Sequence, residues 1–244
     1  MNAIILAAGR GSRLKSLTKN NPKSFLKIYG KTLIERQIEN LYAVGIKNIS
    51  LVVGYKKEKF LYLKKKLFLN KNWNNTNMIY SLFKSKKWLF NCDCIICYSD
   101  IIYDKKILKQ LLNHKSDFVI PYNLNWKQNW KDRYKNPLKD LETFQISNGL
   151  INEIGNKPKN YKDIQGQFMG LVKISKKNSR KLFHFYINLK KNVQKKIHFT
   201  NFLDLLIKSN KFSIRGFGTK HYWYEIDNQK DYLVAKNNLK KIKL

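Results

Sequence analysis

The sequence has few acidic residues, prolines and cysteines. It carries 49 lysines and arginines against 16 aspartates and glutamates, with only 4 prolines and 3 cysteines in 244 residues. Cys92, Cys94 and Cys97 crowd one short segment, and an odd number of cysteines provides no disulfide framework. Because Cys94-x-x-Cys97 lacks a second cysteine pair and spaced histidines, a zinc site is not expected. The cysteines are interpreted as small core residues.

Long apolar runs, repeats and low-complexity tracts are also missing. No run approaches the ~18 residues of a membrane span, and the first residues have the pattern of a strand, not of a signal peptide. We therefore expect no membrane span and a location in the reducing cytoplasm. A hydrophobic content of 43% is sufficient for a core. Since no linker interrupts the chain, the sequence predicts a single domain over residues 1–244.

The formal net charge of +33 would suit binding to nucleic acid or to an anionic membrane. The lysines, however, occur in twos and threes along the chain and form no single basic tract. This distribution is typical of solvated helix faces. Nucleic acid is therefore not the expected partner.

Apolar strands alternate with helical patterns in the first half of the chain. Residues 48–53 and 94–98 are strand-like runs, and apolar residues between 33 and 42 recur at helical spacing. This alternation predicts an α/β fold: a Rossmann-like three-layer structure with a mostly parallel sheet and helices on both faces. The further predictions are helices over 54–68, 78–88 and from Asp231 onward, an irregular stretch over 126–134, a strand over 168–174 and a hairpin at Asn148-Gly149.

The first strand runs directly into a loop of small residues. The apolar run 3–6 is followed at once by Ala7-Ala8-Gly9-Arg10-Gly11-Ser12-Arg13-Leu14. Glycines allow backbone N–H groups to approach a polyphosphate, and Arg13 and Lys23 add positive charge. The spacing matches neither the dinucleotide fingerprint, which has a third glycine, nor the P-loop, which has G-K-[ST]. The stretch is a candidate phosphate cradle of another type.

Carboxylates follow two of the predicted strands. Asp100 stands just past the run 94–98, at the sheet edge where α/β enzymes bind ligands, although an isolated aspartate at this place would favour capping the next helix. In the segment 223–227, period-2 alternation points Glu225 and Asp227 to the same side. Such a pair either holds a cation between its members or improves solubility at a sheet edge. Hard oxygen ligands of this kind suit Mg²⁺.

Together these motifs resemble the family of nucleotidyltransferases that join NTPs to sugar phosphates or small phosphorylated alcohols. The family pattern L-A-A-G-x-G-[ST]-R-L, followed by P-K, matches residues 6–14 and Pro22-Lys23. The resemblance implies in-line attack of an acceptor phosphate oxygen on the α-phosphorus of an NTP, with release of pyrophosphate. The front half, about 1–120, would bind the nucleotide, and the back half, about 121–244, the acceptor.

The resemblance also assigns roles to individual residues. It implies that Asp100 and Asp227 hold Mg²⁺, and that Arg13 and Lys23 bind the phosphates of the nucleotide. Lys157, in a K-P element, would hold the acceptor phosphate. The residues implied to contact the nucleotide are Leu6, Ala7, Ala8, Gly9, Gly11, Ser12, Asn77 and Ser81.

Aromatic residues in the back half indicate the kind of acceptor. Trp126 and Tyr224 belong to this group, and aromatic faces beside a carboxylate such as Glu225 suit an ammonium ion. Gly170 allows the backbone to approach a ligand closely. The pattern is similar to small bacterial cytidylyltransferases that use CTP with phosphocholine, 2-aminoethylphosphonate or phosphoglutamine. That resemblance implies CTP, a small nitrogen-bearing phosphate acceptor and a role in capsule biosynthesis.

Two other functions stay open at the level of sequence. One is a sugar-1-phosphate nucleotidyltransferase for surface polysaccharide. The other is a non-catalytic nucleic-acid-binding or regulatory protein on this fold, for which the charge of +33 would be suited. The sequence does not define the base preference, the acceptor or the oligomeric state, and a homodimer is among the options.

Overall fold

The strand that begins the chain lies inside a ten-stranded mixed sheet. The computed structural model describes residues 1–241. The strands are β1 (Asn2–Ala7), β2 (Lys27–Ile28), β3 (Lys31–Thr32), β4 (Asn48–Val53), β5 (Lys66–Leu69), β6 (Cys94–Tyr98), β7 (Ile101–Tyr103), β8 (Phe118–Asn123), β9 (Phe144–Ser147), β10 (Leu150–Ile154), β11 (Gln167–Phe168), β12 (Leu171–Ile174), β13 (Arg215–Thr219) and β14 (Trp223–Glu225).

Helices pack against this sheet, and local signals set several of their ends. Oγ1 of Thr32 accepts a hydrogen bond from N of Glu35, and Oε2 of Glu35 accepts one from N of Thr32, so a capping box starts α1. Oδ1 of Asp104 accepts from N of Lys106 at the start of α4. The helices are α1 (Leu33–Ala43), α2 (Met78–Leu82), α3 (Lys86–Leu89), α4 (Lys105–Asn113), α5 (Trp126–Arg133), α6 (Lys176–Ile187), α7 (Lys191–Lys196), α8 (Phe199–Lys208) and α9 (Gln229–Lys241).

The large sheet has the strand order β5-β4-β1-β6-β12-β8-β13-β10-β9, with β11 beside β8. All of these strands run in one direction except β10, β11 and β12. Parallel neighbours need a crossover, and α1 lies in the one that joins β1 to β4. The prediction of an α/β fold with a mostly parallel sheet is confirmed.

The main core lies along β1, β4 and β6, which are buried over nearly their whole length. Cys94 and Cys97 belong to this core, as predicted, and the three cysteines are free thiols. A smaller apolar cluster forms around Leu14, Ile102 and Ile226 and includes residues of α9. Residues 1–241 contain no helix that is both long enough and apolar enough to span a membrane.

Two helix predictions differ from the structure. The helix predicted over 54–68 is absent. This segment contains a 3₁₀ turn at Lys57–Leu63, and strand β5 follows it. The turn ends at Lys64, whose φ of 50° is left-handed, and β5 then pairs with the edge of β4. The helix predicted over 78–88 is interrupted by a 3₁₀ turn at Phe83–Ser85, so it consists of α2 and α3.

The stretch predicted to be irregular is helix α5. Trp126, Trp130 and Arg133 are spaced four and three residues apart and are buried on one face of this helix. The polar residues between them conceal the helical pattern in the sequence. The prediction of an irregular segment over 126–134 is therefore wrong.

The second half of the chain contains one interrupted strand and the predicted hairpin. The strand predicted over 168–174 divides at Gly170, whose φ of 70° breaks the extended backbone between β11 and β12. Asn148-Gly149 joins β9 to β10, and this hairpin is confirmed. The predicted closing helix begins at Gln229, and residues 242–244 lie outside the described residues.

Candidate active site

The small sheet of β7 and β14 brings together three carboxylates from distant parts of the chain. Glu225 pairs with Ile101 in this sheet, and N of Ile226 donates a 3.0 Å hydrogen bond to O of Asp100. Asp227 follows directly after this pairing. One carboxylate oxygen from each of Asp100, Glu225 and Asp227 lies within 4.8 Å of the other two. Strand pairing thus assembles the cluster.

Two cations contact Asp100 and Asp227 of the carboxylate cluster. Nζ of Lys23 lies 2.7 Å from Oδ2 of Asp100 and 2.5 Å from Oδ1 of Asp227. The same oxygen of Asp227 lies 3.0 Å from Nη2 of Arg13. The Lys23 side chain is buried, whereas that of Arg13 is 65% exposed. Lys23 is consequently the cation that the protein holds firmly at the cluster.

The ionisation of these groups follows from their burial and their neighbours. Burial disfavours the charged ammonium of Lys23, but Asp100 and Asp227 outweigh this effect and raise its pKa. Burial also opposes ionisation of Asp227, but Lys23 and Arg13 outweigh it and lower its pKa. Glu225 differs, because burial and the charges of Asp227 and Asp100 raise its pKa well above the ordinary value. Two carboxylates of the cluster therefore have opposite pKa shifts.

The cluster has the donor set that a hard divalent cation requires. Its three carboxylates bring oxygen ligands close together. Oδ1 of Asp100 is buried and has no hydrogen-bond partner among residues 1–241. A buried carboxylate oxygen is ordinarily satisfied by a donor or a cation, so this atom marks where a bound cation would add a contact.

The glycine-bearing loop after β1 lets Lys23 reach the carboxylates. Gly11 has a φ of 77°, and a Cβ atom at this position would lie 2.7 Å from Cβ of Lys23. Any residue larger than glycine would therefore displace the lysine. The loop is closed by hydrogen bonds from N of Leu14 and Oγ1 of Thr18 to O of Gly11, at 3.1 and 2.9 Å.

A buried glutamine braces the turn that carries Asp100. Nε2 of Gln37 donates to O of Tyr98 at 2.6 Å and to O of Ile101 at 3.1 Å. Its Oε1 accepts from the hydroxyl of Tyr103 at 3.2 Å. Because Gln37 lies on α1, this helix fixes the backbone on both sides of Asp100.

The cluster lies in a cleft of about 390 Å³ that both halves of the chain line. The first half contributes residues of the glycine-bearing loop and of α2, together with Trp73. The second half contributes Trp130, Asp140, Glu142 and Thr200 among others. A larger groove of about 880 Å³ lies beside α6 and contains none of the three carboxylates. The chemistry therefore favours the smaller cleft.

Two further carboxylates face this cleft from the second half of the chain. Oγ1 of Thr200 donates a 3.0 Å hydrogen bond to Oε1 of Glu142, and burial raises the pKa of Glu142. The side chain of Gln167 fixes the backbone of Glu142, with Nε2 donating to its O at 2.6 Å. Oδ2 of Asp140 accepts from Nε1 of Trp130 at 3.0 Å. Negative charge and aromatic rings are thus adjacent here.

Comparison with known proteins identifies the family. Residues 3–141 match the MobA-like NTP transferase domain. The chain is 35% identical to CTP:phosphoglutamine cytidylyltransferase from Campylobacter jejuni, across 96% of this chain and 98% of that protein. The chain belongs to the MobA-like NTP transferases. The resemblance to nucleotidyltransferases inferred from the loop is confirmed, and the protein is an enzyme of this class.

Other relatives share part of the sequence or the fold of this NTP transferase. Choline-phosphate cytidylyltransferase from Haemophilus influenzae is 40% identical over 49% of this chain and 52% of its own length. The structure of inositol-1-phosphate CTP transferase from T. maritima has a TM-score of 0.80 at 19% identity, covering 99% of this chain and 96% of that one. CTP:phosphocholine cytidylyltransferase from Streptococcus pneumoniae has a TM-score of 0.74 at 24% identity, covering 98% of both. At such identities the two structures support the fold alone.

Most of the residues proposed from sequence meet in the cleft of this NTP transferase. Arg13 and Lys23, which were predicted to bind phosphates, and the three carboxylates all line it. Ala7 is buried at the end of β1, and Ser12 is exposed at the start of a 3₁₀ turn, so neither side chain lines the cleft. The residues proposed from sequence that line the cleft are Leu6, Ala8, Gly9, Gly11, Arg13, Lys23, Asn77, Ser81, Asp100, Glu225 and Asp227.

Four residues proposed for the acceptor do not line the cleft. Nζ of Lys157 donates to the backbone oxygens of Leu138 and Lys139 at 2.7 and 2.5 Å. Tyr224 packs against the smaller apolar cluster, because it alternates with Glu225 along β14. Trp126 is buried on α5.

Gly170, the fourth of these residues, acts next to the cleft and not in it. A Cβ atom at this position would lie 2.9 Å from Cγ of Tyr98, whose ring lines the cleft. O of Gly170 accepts a 2.8 Å hydrogen bond from N of Tyr98. The glycine allows β12 to pack closely beside β6.

Sequence reasoning missed Asp140, Glu142 and Thr200 as cleft residues. A weak signal for the first two exists in Asp140-Leu141-Glu142, where two carboxylates flank an apolar residue that is buried. No comparable signal marks Thr200, which reaches the cleft only because α8 packs near Glu142.

Proposed function

We propose that this NTP transferase is a Mg²⁺-dependent cytidylyltransferase. It would join CMP from CTP to a small nitrogen-bearing phosphate acceptor of the phosphoglutamine, phosphocholine or aminoethylphosphonate class, and release pyrophosphate. The observation that carries this proposal is the cluster of Asp100, Glu225 and Asp227 around Lys23, in one cleft with the glycine-bearing loop. The choice of CTP is supported by the names of the C. jejuni and H. influenzae relatives.

The proposed reaction needs positioning and charge neutralisation more than acid–base catalysis. An oxygen of the acceptor phosphate is already ionised near neutral pH, so it attacks the α-phosphorus of CTP without a general base. A new P–O bond forms to the acceptor, and the bond between the α-phosphorus and the bridging oxygen breaks. The electron pair leaves with pyrophosphate, so atoms and charge balance. Holding both reactants in line lowers the entropic part of the barrier.

Two basic side chains, Arg13 and Lys23, would bind the phosphates of the nucleotide. Arg13 is largely exposed beside Asp227, so it can turn towards a triphosphate at little cost. Lys23 would exchange its contacts with Asp100 and Asp227 for a phosphate oxygen. Mg²⁺, when bound at these carboxylates, would neutralise charge on both the nucleotide and the acceptor phosphate.

The nitrogen-bearing group of the acceptor would lie near Glu142. This carboxylate has a neutral hydroxyl, that of Thr200, as its side-chain hydrogen-bond donor within residues 1–241. Asp140 and the ring of Trp130 line the same cleft. A half-buried carboxylate such as Glu142 attracts an ammonium group by charge. The back half of the chain would accordingly select the acceptor, and the front half the nucleotide.

We also propose a biosynthetic role and a cellular location for the enzyme. The motif resemblance supports a role in capsule biosynthesis, and the three free thiols suit a reducing cytoplasm. Light scattering of the purified chain would establish whether it is a monomer or the homodimer considered above.

Pyrophosphate release tests the proposed reaction. CTP, UTP, GTP and dTTP would each be supplied with Mg²⁺ and with phosphoglutamine, phosphocholine, aminoethylphosphonate or glucose-1-phosphate. We expect turnover with CTP and a nitrogen-bearing acceptor, and its loss in Asp100→Ala and Asp227→Ala. Turnover with glucose-1-phosphate would instead establish a sugar-phosphate nucleotidyltransferase. Salt-dependent RNA binding without any turnover would support the non-catalytic alternative.

A further inference from the structure

A buried ion pair contacts the segment 225–227, which carries two of the cluster carboxylates. Nε of Arg133 on α5 is 2.8 Å from Oδ1 of Asp231 on α9, and Nη2 is 3.1 Å from Oδ2. Both residues are buried, with 6% and 2% of their surface exposed. The two parallel contacts fix both the distance and the plane of the carboxylate.

Asp231 also holds the backbone of the cluster. Its Oδ2 accepts hydrogen bonds from N of Asp227 at 2.9 Å and from N of Asn228 at 3.1 Å. In return, Oδ1 of Asn228 accepts from N of Asp231 at 3.1 Å. The carboxylate that binds Arg133 therefore sets the position from which the Asp227 side chain projects.

Arg133 also lies close to Glu225 and to the ring of Trp130. Its Nη2 lies 3.8 Å from Oε2 of Glu225, and its guanidinium lies over the ring of Trp130 at 4.8 Å from the centroid. Nη1 is buried and has no hydrogen-bond partner among residues 1–241. One side chain thus contacts a cluster carboxylate, the support of a second one and an aromatic ring of the cleft.

The ion pair of Arg133 and Asp231 is by itself a weak source of stability. Burying an arginine and an aspartate costs desolvation energy that their attraction often fails to offset, and apolar residues can replace such pairs without loss of stability. A directional pair, however, orients neighbouring groups in a way that apolar packing does not. Residues that orient metal ligands in this manner commonly affect metal affinity strongly.

We propose that Arg133 and Asp231 are positioning residues for the divalent cation. They would hold Glu225 and Asp227 at the separation from Asp100 that the cation requires, an inference that rests on the proposed metal site. Neither residue would touch the reacting atoms. Substitution of Arg133 or Asp231 should therefore lower the affinity for the cation. A higher cation concentration should restore the lost activity.

Binding of Mn²⁺, followed by electron paramagnetic resonance in the presence of CTP and without acceptor, tests this role directly. The variants are Asp231→Asn, which keeps an oxygen for N of Asp227, and Arg133→Lys, which keeps the charge but loses the paired contacts. We expect each to raise the dissociation constant for Mn²⁺ about tenfold. Raised Mg²⁺ would restore turnover at saturating CTP. Leu111→Ala, a fully buried core position that does not line the cleft, is the matched destabilising control.

The outcomes separate this inference from the proposed function. Weaker Mn²⁺ binding in Asp231→Asn, with unchanged binding in Leu111→Ala, would support positioning. A lowered melting temperature with wild-type Mn²⁺ affinity in Asp231→Asn would overturn it and leave the proposed function intact. A folded wild-type protein that binds no Mn²⁺ with any of the four NTPs would overturn the metal site and this inference with it. If Arg133→Lys does not fold, Asp231→Asn alone decides.

Discussion

Nζ of Lys23 lies 2.5 Å from Oδ1 of Asp227, although these residues come from opposite ends of the chain. Lys23 lies at the end of the motif that begins with the glycine-bearing loop, and Asp227 follows strand β14. The same ammonium lies 2.7 Å from Asp100. Since a metal and an ammonium compete for the same carboxylate oxygens, binding of the proposed divalent cation would be coupled to the position of Lys23.

Replacing Lys23 by methionine should separate catalysis from cation binding. We expect kcat to fall about 10²–10³-fold, the usual cost of losing one group that stabilises developing charge. At the same time Mn²⁺ should bind more tightly in the absence of nucleotide, because its competitor has gone. Electron paramagnetic resonance measures the second effect. Lys31→Met, at an exposed lysine that pairs with Glu39, is the control. Weaker Mn²⁺ binding in Lys23→Met would contradict the coupling.

The carboxylate of Glu142 should determine selectivity for the acceptor. In Glu142→Gln we expect KM for an ammonium-bearing acceptor to rise about 10- to 100-fold, the range for losing a hydrogen bond to a charged group. KM for CTP should stay unchanged if, as proposed, the front half of the chain binds the nucleotide. Steady-state kinetics with each substrate varied in turn measure both constants. Equal increases in the two KM values would point to a general distortion of the cleft.

Glu225 should make stability depend on pH in a defined direction. Its folded pKa is raised well above the ordinary value of 4.5, so the native state retains the proton while the unfolded chain loses it. As pH rises from 4.5 towards the folded pKa, the unfolded state binds fewer protons than the native state, and stability falls. Glu225→Gln removes this penalty. Its melting temperature should exceed that of the wild type by about 2–4 °C per kcal/mol regained.

The measurement for Glu225→Gln is thermal unfolding in EDTA at several pH values. The two proteins should have nearly equal melting temperatures below pH 4.5, and the advantage of the variant should increase at higher pH. A difference that stays constant across the series would contradict the raised pKa. Mn²⁺ binding by the variant should be weaker, because an amide cannot give up a proton to become an anionic ligand when the cation binds.

Gln37 should affect both stability and activity without touching a substrate. Gln37→Leu would leave O of Tyr98 and the hydroxyl of Tyr103 without their partners, at a cost of about 1–3 kcal/mol in unfolding free energy. Because the same bonds hold the turn before Asp100, kcat should fall as well. Denaturant unfolding and steady-state kinetics measure the two effects. Gln110→Leu, at an exposed position on α4, serves as the comparison, and identical behaviour of both variants would refute the bracing role.

Lys157→Ala tests a role that the family resemblance implies. In the structure its amine donates to the oxygens of Leu138 and Lys139 outside the cleft lining. We therefore expect kcat/KM for the acceptor to stay within about threefold of wild type, as for other surface changes. A tenfold or larger rise in KM for the acceptor would show that Lys157 reaches the acceptor phosphate during catalysis.

Local chemistry explains what could be predicted from the sequence. The strand over 48–53 and the hairpin at Asn148-Gly149 were predicted correctly because periodicity and turn residues act over a few positions. The prediction of a helix over 54–68 was wrong because β5 pairs with the edge of β4. A pattern of neighbouring residues does not reveal that such an edge is available. Helix α5 was missed for a related reason: the three buried residues that define its inner face are separated by polar ones.

The sequence alone determined the family, the glycine-bearing loop and the carboxylate candidates, since each depends on residue identity and short spacing. Only the tertiary structure decided which candidates lie together. The pairing of β7 with β14 places Asp227 beside Asp100, and the left-handed Gly11 leaves room for Lys23 between them. The same folding directs Tyr224 and Lys157 away from the cleft and brings Glu142 into it. Contacts between distant segments depend on how strands and helices pack, and spacing along the chain does not encode that packing.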